Sequence, residues 1–254
     1  MRDIVIIPTY WRPDYIDRCF RALSECDGIK SKELWVSHDQ HSNTPSNRKA
    51  QIPELLNIVN QWLPRFENSR FIKREDTKHP MDSFSGYRFN VFEALIEAQK
   101  TEARLIYYIE DDVVVTSDFF RWHEAVQIDG DYLCSFAWRY PQEISASLDL
   151  EGYMIARPTT TTIGLCLKNE SLEKVLNPCS LSRGIDQGIE FGMLNLDWQC
   201  VMPKVPRCYH IGQKSTHPLP ENGFGECGTV DDLPNPLPKY KWDKVILDSI
   251  SAKG

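Results

Sequence analysis

No stretch of this 254-residue chain stays apolar long enough to cross a bilayer. Nor does a secretion leader open it: Ile4-Val5-Ile6-Ile7 starts too early to leave room for charged, apolar and cleavage regions. The expected location is the cytoplasm, unless the chain is a soluble fragment cut away from an anchor. Positive charge is scarce as well, with 29 Lys and Arg against 36 Asp and Glu and a net charge of -7. A large nucleic-acid footprint is usually carried by a basic face, so this balance argues against one while leaving room for a local patch. The eight cysteines contain no C-x-x-C pair, which removes the common zinc and dithiol signatures. Several sit inside apolar runs and read as buried thiols, and a Cys200–Cys208 disulfide would need an oxidising compartment for which there is no targeting signal. Internal repeats and low-complexity tracts are missing too.

What remains is ordinary soluble composition, 41% hydrophobic and 26% charged, with a mean hydropathy of -0.42. The length suits one large α/β domain and a substantial core. The most informative stretch is Leu105-Ile106-Tyr107-Tyr108-Ile109-Glu110-Asp111-Asp112-Val113-Val114-Val115. A short aromatic and apolar run reads as a buried strand, and here it ends in three carboxylates. In an open α/β sheet that end faces the ligand crevice. Adjacent hard oxygen donors suit Mg²⁺ or Mn²⁺, which completes its shell with phosphate and water. An acidic solvated turn would carry the same letters, so the triplet alone does not decide.

Taken in order, residues 3–9 read as a strand, and Pro13 opens a helix marked by Tyr15, Ile16, Cys19, Phe20 and Leu23. Arg12, in the loop between them, is either a cation for a diphosphate or a solvated helix-start arginine. Leu34-Trp35-Val36-Ser37 is a second strand, followed by His38 and Asp39, an acid placed to accept hydrogen bonds from a nucleoside. A helix through Leu55, Val59 and Trp62 stops at Pro64, Arg70 to Lys73 form a third strand, and Arg65 to Lys78 read as a solvated mixed-charge face. A helix with Phe89, Phe92, Leu95 and Ile96 leads to the acid-bearing strand. This alternation predicts a mostly parallel sheet with helices on both faces.

The second half is less regular. Thr116-Ser117-Asp118 should cap a short helix through Phe119, Phe120 and Trp122, and Asn169 one through Leu172, Val175 and Leu176. Tyr132 to Trp138 and Thr159 to Leu167 are strand-like. Asp186 and Glu190 share one face of a short helix. Trp198 to Pro203 and Arg207 to Gly212 suggest a hairpin-like pair. Pro218 to Pro238, with five prolines and three glycines, reads as a lid or a tail.

Four blocks in common order carry a resemblance: Val36-Ser37-His38-Asp39; Glu110-Asp111-Asp112 with Ser117-Asp118-Phe119-Phe120; Cys134-Ser135-Phe136-Ala137-Trp138; and the C-terminal third. In that third stand Thr162-Ile163-Gly164-Leu165-Cys166-Leu167, Ile185-Asp186-Gln187, Cys200-Val201-Met202-Pro203 with Arg207, and Gly212 to His217. The chain resembles the metal-dependent nucleotide-sugar glycosyltransferases of the GT-A fold, and among them the N-acetylglucosaminyltransferase I family. The resemblance implies an α/β, Rossmann-like, mostly parallel sheet with a smaller mixed C-terminal part in one GT-A domain over 1–254. Residues 1–115 would bind the nucleotide sugar, 116–217 the acceptor, and 218–254 form the lid or tail.

It also implies Asp112 as a direct ligand of Mn²⁺ or Mg²⁺, with Glu110 and Asp111 facing the ribose or ordering water around the ion. Asp39 and Asn90 would meet the uracil of a UDP-sugar such as UDP-GlcNAc, Arg12 its diphosphate, and Asp186 would be the general base. His217 is a second candidate metal ligand. The loop from His210 to His217 departs from the family spacing, which leaves His217 and Ser215 open, and neither the family's anchor nor its stem is expected here. Glu190 is the rival base and His210 a weaker metal candidate. Trp11, Trp138 and Trp198 could stack on sugar or base, or simply fill the core.

The expected reaction is an inverting single displacement onto the hydroxyl of a glycan, protein or small molecule. A rival reading keeps the chemistry and takes hydroxymethylated bases of DNA as acceptor, using Lys204, Arg207, Lys214, Lys239, Lys241 and Lys244. A third is a non-catalytic nucleotide or carbohydrate binder on the same fold.

Overall fold

The computed structural model describes residues 2–40, 46–75, 85–129, 134–137, 146–150, 153–156, 163–176, 185–196, 200–203 and 206–212. The first half follows the alternation seen in the sequence: β1 (Asp3–Thr9), α1 (Pro13–Ser24), β2 (Lys32–Gln40), the short α2 (Ser46–Lys49), α3 (Ile52–Trp62), β3 (Ser69–Glu75), α4 (Ser85–Gln99) and β4 (Leu105–Tyr108). After a tight turn come β5 (Val113–Val115), α5 (Phe119–Glu124), β6 (Cys134–Phe136), β7 (Ala146–Leu150), β8 (Tyr153–Ala156), β9 (Leu165–Lys168), α6 (Asn169–Leu176), α7 (Ile185–Asn195), β10 (Cys200–Pro203) and β11 (Cys208–His210).

The main sheet runs β3-β2-β1-β4-β9-β6-β10-β8-β7. β3, β2, β1 and β4 are mutually parallel. β9 is antiparallel to β4 and β6, and β8 to β10 and β7, so only these two run against the rest. The sheet is thus mostly parallel, with a mixed C-terminal part. Chain order reverses at β1: the path goes outward through β2 and β3, then returns to place β4 on the other side. Open α/β sheets bind ligands at that switch point, beyond the carboxyl ends of the strands.

Strand side chains alternate between faces, and the core divides accordingly. Val5, Ile7, Leu34, Val36, Leu105 and Tyr107 face α1, α3 and α5 through Phe20, Val59, Trp62 and Phe120. Ile4, Ile6, Trp35, Ile106 and Tyr108 face α4, α6 and α7 through Phe92, Leu95, Leu172 and Met193. Complete burial of such side chains contributes about 1.5–3 kcal/mol each. That stiffness lets the strand ends hold polar groups in place.

Several expectations need correction. The segments Trp198 to Pro203 and Arg207 to Gly212 do not pair with each other. β10 lies in the main sheet between β6 and β8, while β11 pairs antiparallel with β5. Asp118 makes no side-chain cap on α5; its carboxylate accepts the Thr116 hydroxyl at 2.7 Å and ion-pairs with Arg207 Nε at 2.9 Å. The Asn169 amide donates to the Thr101 carbonyl at 2.9 Å, and its Oδ1 has no partner among the described residues, so it does not cap α6. Cys208 is a free buried thiol, like Cys19, Cys26 and Cys166, which removes the Cys200–Cys208 disulfide. Arg74, inside the expected solvated face, is largely buried on Glu97, with bonds of 2.7 and 2.9 Å. Among the described residues no helix is long and apolar enough to cross a membrane.

Candidate functional site

The backbone of Ile109 still follows the ladder, its N–H donating to the Ile6 carbonyl at 3.0 Å. The chain then turns sharply, Val113 N–H donating to the Glu110 carbonyl at 3.0 Å. The three acids occupy that turn at the switch point. Asp111 and Asp112 are buried. Removing carboxylates from water is costly unless they are paired, and each has a cation or hydroxyl beside it. Asp111 accepts the Thr9 hydroxyl at 3.1 Å, and Arg12 donates one guanidinium nitrogen to Asp111 and another to Asp112. Glu110, half-buried, accepts the Tyr108 hydroxyl at 3.3 Å.

The fourth contributor comes from the far end of the described chain. β11 pairs with β5 in a register that sets His210 opposite Val113, and the Ile211 N–H donates to the Asp112 carbonyl at 2.8 Å. This pairing brings His210 Nε2 to 3.4 Å from Asp112 Oδ2. Gly212 closes the corner, since a Cβ there would fall 2.2 Å from Asp112 Oδ2 and 2.8 Å from His210 Cε1. The segment is anchored by the buried Arg207–Asp118 pair and by Thr116 N–H donating to the Arg207 carbonyl at 2.9 Å.

One ligand atom from each of Glu110, Asp112 and His210 lies within 4.8 Å of the others. Around an ion with bonds of about 2.1 Å, neighbouring and opposite ligand atoms stand about 3–4.2 Å apart, so a few tenths of an ångström of closure would complete three sites. Two carboxylates and an imidazole suit Mn²⁺, for which carboxylate, water and imidazole are all acceptable donors. Asp112 Oδ1 is buried and, among the described residues, accepts no hydrogen bond. The residues therefore fit a divalent ion.

Electrostatics supports the assignment. Burial works to raise the Asp112 carboxyl, but the charges and hydrogen bonds of Arg12 and His210 outweigh it and hold this acid below the usual carboxylate range. Burial raises Asp111 instead, with the Asp112 charge adding to it against the opposing pull of Arg12. Asp112 is thus the member that stays ionised, as a direct ligand must.

The other expected residues divide. Asp39, buried at the carboxyl end of β2, stands beside the crevice on the strand next to β1. Asn90 is fully buried, and both ends of its amide are taken by Ser37: the hydroxyl donates to Oδ1, and Nδ2 donates to the carbonyl at 2.9 Å. Arg12, expected on a diphosphate, rests on the acids. Glu190 is half-buried on α7. Trp11 is buried against Arg48, whose guanidinium carbon is 5.1 Å from the ring centroid. Asp186 falls at the second position of α7, but its side chain, like His217, Trp138 and Trp198, lies outside the described residues. Thr9, Tyr108 and Gly212 received no role from the sequence, and His210 only a weak one. The clue available was the His210-Ile211-Gly212 step after a β-prone run, which gains meaning only once β11 is paired with β5.

No protein-family model matches the chain, and no curated protein sequence matches it. Solved structures do. Staphylococcus aureus TarS 1–349 in complex with UDP-GlcNAc superimposes with a TM-score of 0.59 at 15% identity, over 85% of this chain and 60% of that one. The mannosyltransferase PcManGT from Pyrobaculum calidifontis, in complex with GDP-Man and Mn²⁺, gives 0.58 at 14% identity, over 84% of this chain and 58% of that one. This is a GT-A-like glycosyltransferase fold. The chain spans about 60% of the length of these neighbours, and at such identities the likeness speaks for the fold alone.

Proposed function

We propose that this protein is a metal-dependent, inverting glycosyltransferase that moves a sugar from a nucleotide sugar to an acceptor hydroxyl. The observation that carries the reading is the convergence of Glu110, Asp112 and His210 at the carboxyl end of β4. The neighbours crystallised with UDP-GlcNAc and with GDP-Man and Mn²⁺ support a nucleotide-sugar donor and a divalent ion. The order of motifs from Val36 to Arg207 favours UDP and the N-acetylglucosaminyltransferase I family within that class.

In this reading Asp112, His210 and Glu110 hold the ion, which when bound supplies Lewis-acid stabilisation of the departing diphosphate. Asp39 accepts a hydrogen bond from the base. Asn90 acts through Ser37, which it fixes two residues before Asp39. Asp186 accepts the proton of the attacking hydroxyl, and general-base catalysis of this kind is worth roughly 10²–10⁴-fold. A single base opposite the leaving group gives inversion.

The test incubates the protein with Mn²⁺ and a panel of nucleotide sugars and measures release of the nucleoside diphosphate. Release from one donor, abolished by chelation and by Asp112→Ala, is expected. Asp186→Asn should lose transfer to acceptor by at least about a hundredfold while retaining donor binding. Full transfer in Asp186→Asn removes that residue as base, and undiminished release in Asp112→Ala removes the metal-dependent reading.

A further inference from the structure

Arg12 stands on two carboxylates at once, Nη2 against Asp111 Oδ1 and Nη1 against Asp112 Oδ2. The acid side chains are 3% and 5% exposed and that of Arg12 is 16% exposed, so Arg12 keeps more contact with solvent than either acid. The oxygen it engages on Asp112 is the one His210 approaches. A guanidinium and a divalent ion cannot both hold that oxygen at full strength, because the second cation finds its lone pairs already used and a like charge beside it.

Turning this side chain would unwind no helix. Arg12 precedes α1 with φ -108 and ψ 82, outside helical geometry, and makes no side-chain cap. Its Cζ lies 5.4 Å from the centre of the Tyr15 ring, an apolar wall along which the stem can turn. Arginine's planar fork matches a diphosphate as well as it matches paired carboxylates.

We propose that Arg12 is a transferable counter-cation: it neutralises Asp111 and Asp112 until a divalent ion takes Asp112, then turns to the diphosphate of the donor. The inference rests on the metal-dependent reading above and assigns Arg12 two successive partners instead of one. It has two consequences of opposite sign. Removing the guanidinium strengthens binding of the metal alone, because a competitor is gone. It weakens nucleoside diphosphate binding in the presence of metal, because no cation moves across to meet the phosphates. Loss of a merely structural ion pair would weaken both.

Binding is measured on metal-stripped full chain by the electron paramagnetic resonance signal of free Mn²⁺, and by calorimetry of UDP at saturating Mn²⁺. Wild type, Arg12→Gln, Arg12→Lys and Asp112→Ala are compared. One charge-assisted hydrogen bond corresponds to a factor of about ten or more, so Arg12→Gln should bind Mn²⁺ about tenfold more tightly and UDP about tenfold more weakly. Arg12→Lys, which keeps the charge but cannot bridge both acids, should tighten Mn²⁺ by a smaller factor, and it carries the test should the glutamine variant not fold. Unchanged or weaker Mn²⁺ binding in the variants, with binding abolished in Asp112→Ala, overturns the inference and leaves the functional reading standing. Mn²⁺ binding that survives Asp112→Ala overturns both.

Discussion

Gly212 and His210 illustrate how narrowly the candidate site is shaped. A methyl group on Gly212 would collide with the Asp112 carboxylate at 2.2 Å, and neither the buried acid nor the paired backbone can easily retreat. Gly212→Ala should therefore reduce Mn²⁺ affinity by at least about tenfold and destabilise the fold by about 1–3 kcal/mol, the usual cost of overpacking. Titration with Mn²⁺ and thermal unfolding check the two parts, and wild-type affinity in this variant would mean that Asp112 is not the ligand. The acidic turn was legible in the sequence because three acids ended a strand-like run, while the choice of Asp112 among them came from the resemblance. His210 was only a weak candidate there, since its partner lies on a strand far away in the chain, and only the β11–β5 pairing brings the two together. Asn90 came from the resemblance alone, and its amide bonds to Ser37 at both Oδ1 and Nδ2 could be read only once β2 and α4 were packed together.

At the scale of elements, the first half was readable because each strand pairs beside the preceding ones and each helix covers the strands before it. The second half was not, because β9, β6, β10, β8 and β7 join the sheet out of chain order. Strands of three to five residues carry too few side chains to announce partners that topology, not local sequence, selects. The packing of α6 on α7 depends on one such unannounced detail. A Cβ on Gly192 would fall 2.4 Å from the Val175 carbonyl, so the two helices touch through backbone. Gly192→Ala should cost about 1–3 kcal/mol despite its better helix propensity. Chemical denaturation gives the value, and a stabilised variant would mean that the helices stand farther apart than described.

The molecule as a whole should be sensitive to acid through two internal histidines. Burial lowers the His38 imidazole to about 4 and that of His123 to about 3, against an ordinary value near 6.5. Between those values the unfolded chain binds protons that the folded one refuses. Stability is then complete above about pH 6.5 and falls as pH drops towards 4 and 3, by up to about 1.4 kcal/mol per pH unit for each histidine. His123, whose Nδ1 lies 2.6 Å from the Ser135 hydroxyl, can be replaced by glutamine. Melting temperature followed from pH 7 to 4 should decline less steeply in His123→Gln than in wild type, and identical slopes would exclude a neutral buried imidazole.

All of these elements converge on the crevice where the order of the sheet reverses, and one measurement addresses that crevice directly. Crystals soaked with Mn²⁺ and UDP, measured at the manganese absorption edge, should give a single strong anomalous peak within bonding distance of Asp112 and His210, with the nucleotide beyond it towards Asp39. A peak elsewhere, or nucleotide bound with these two residues remote from both metal and phosphate, would contradict the account.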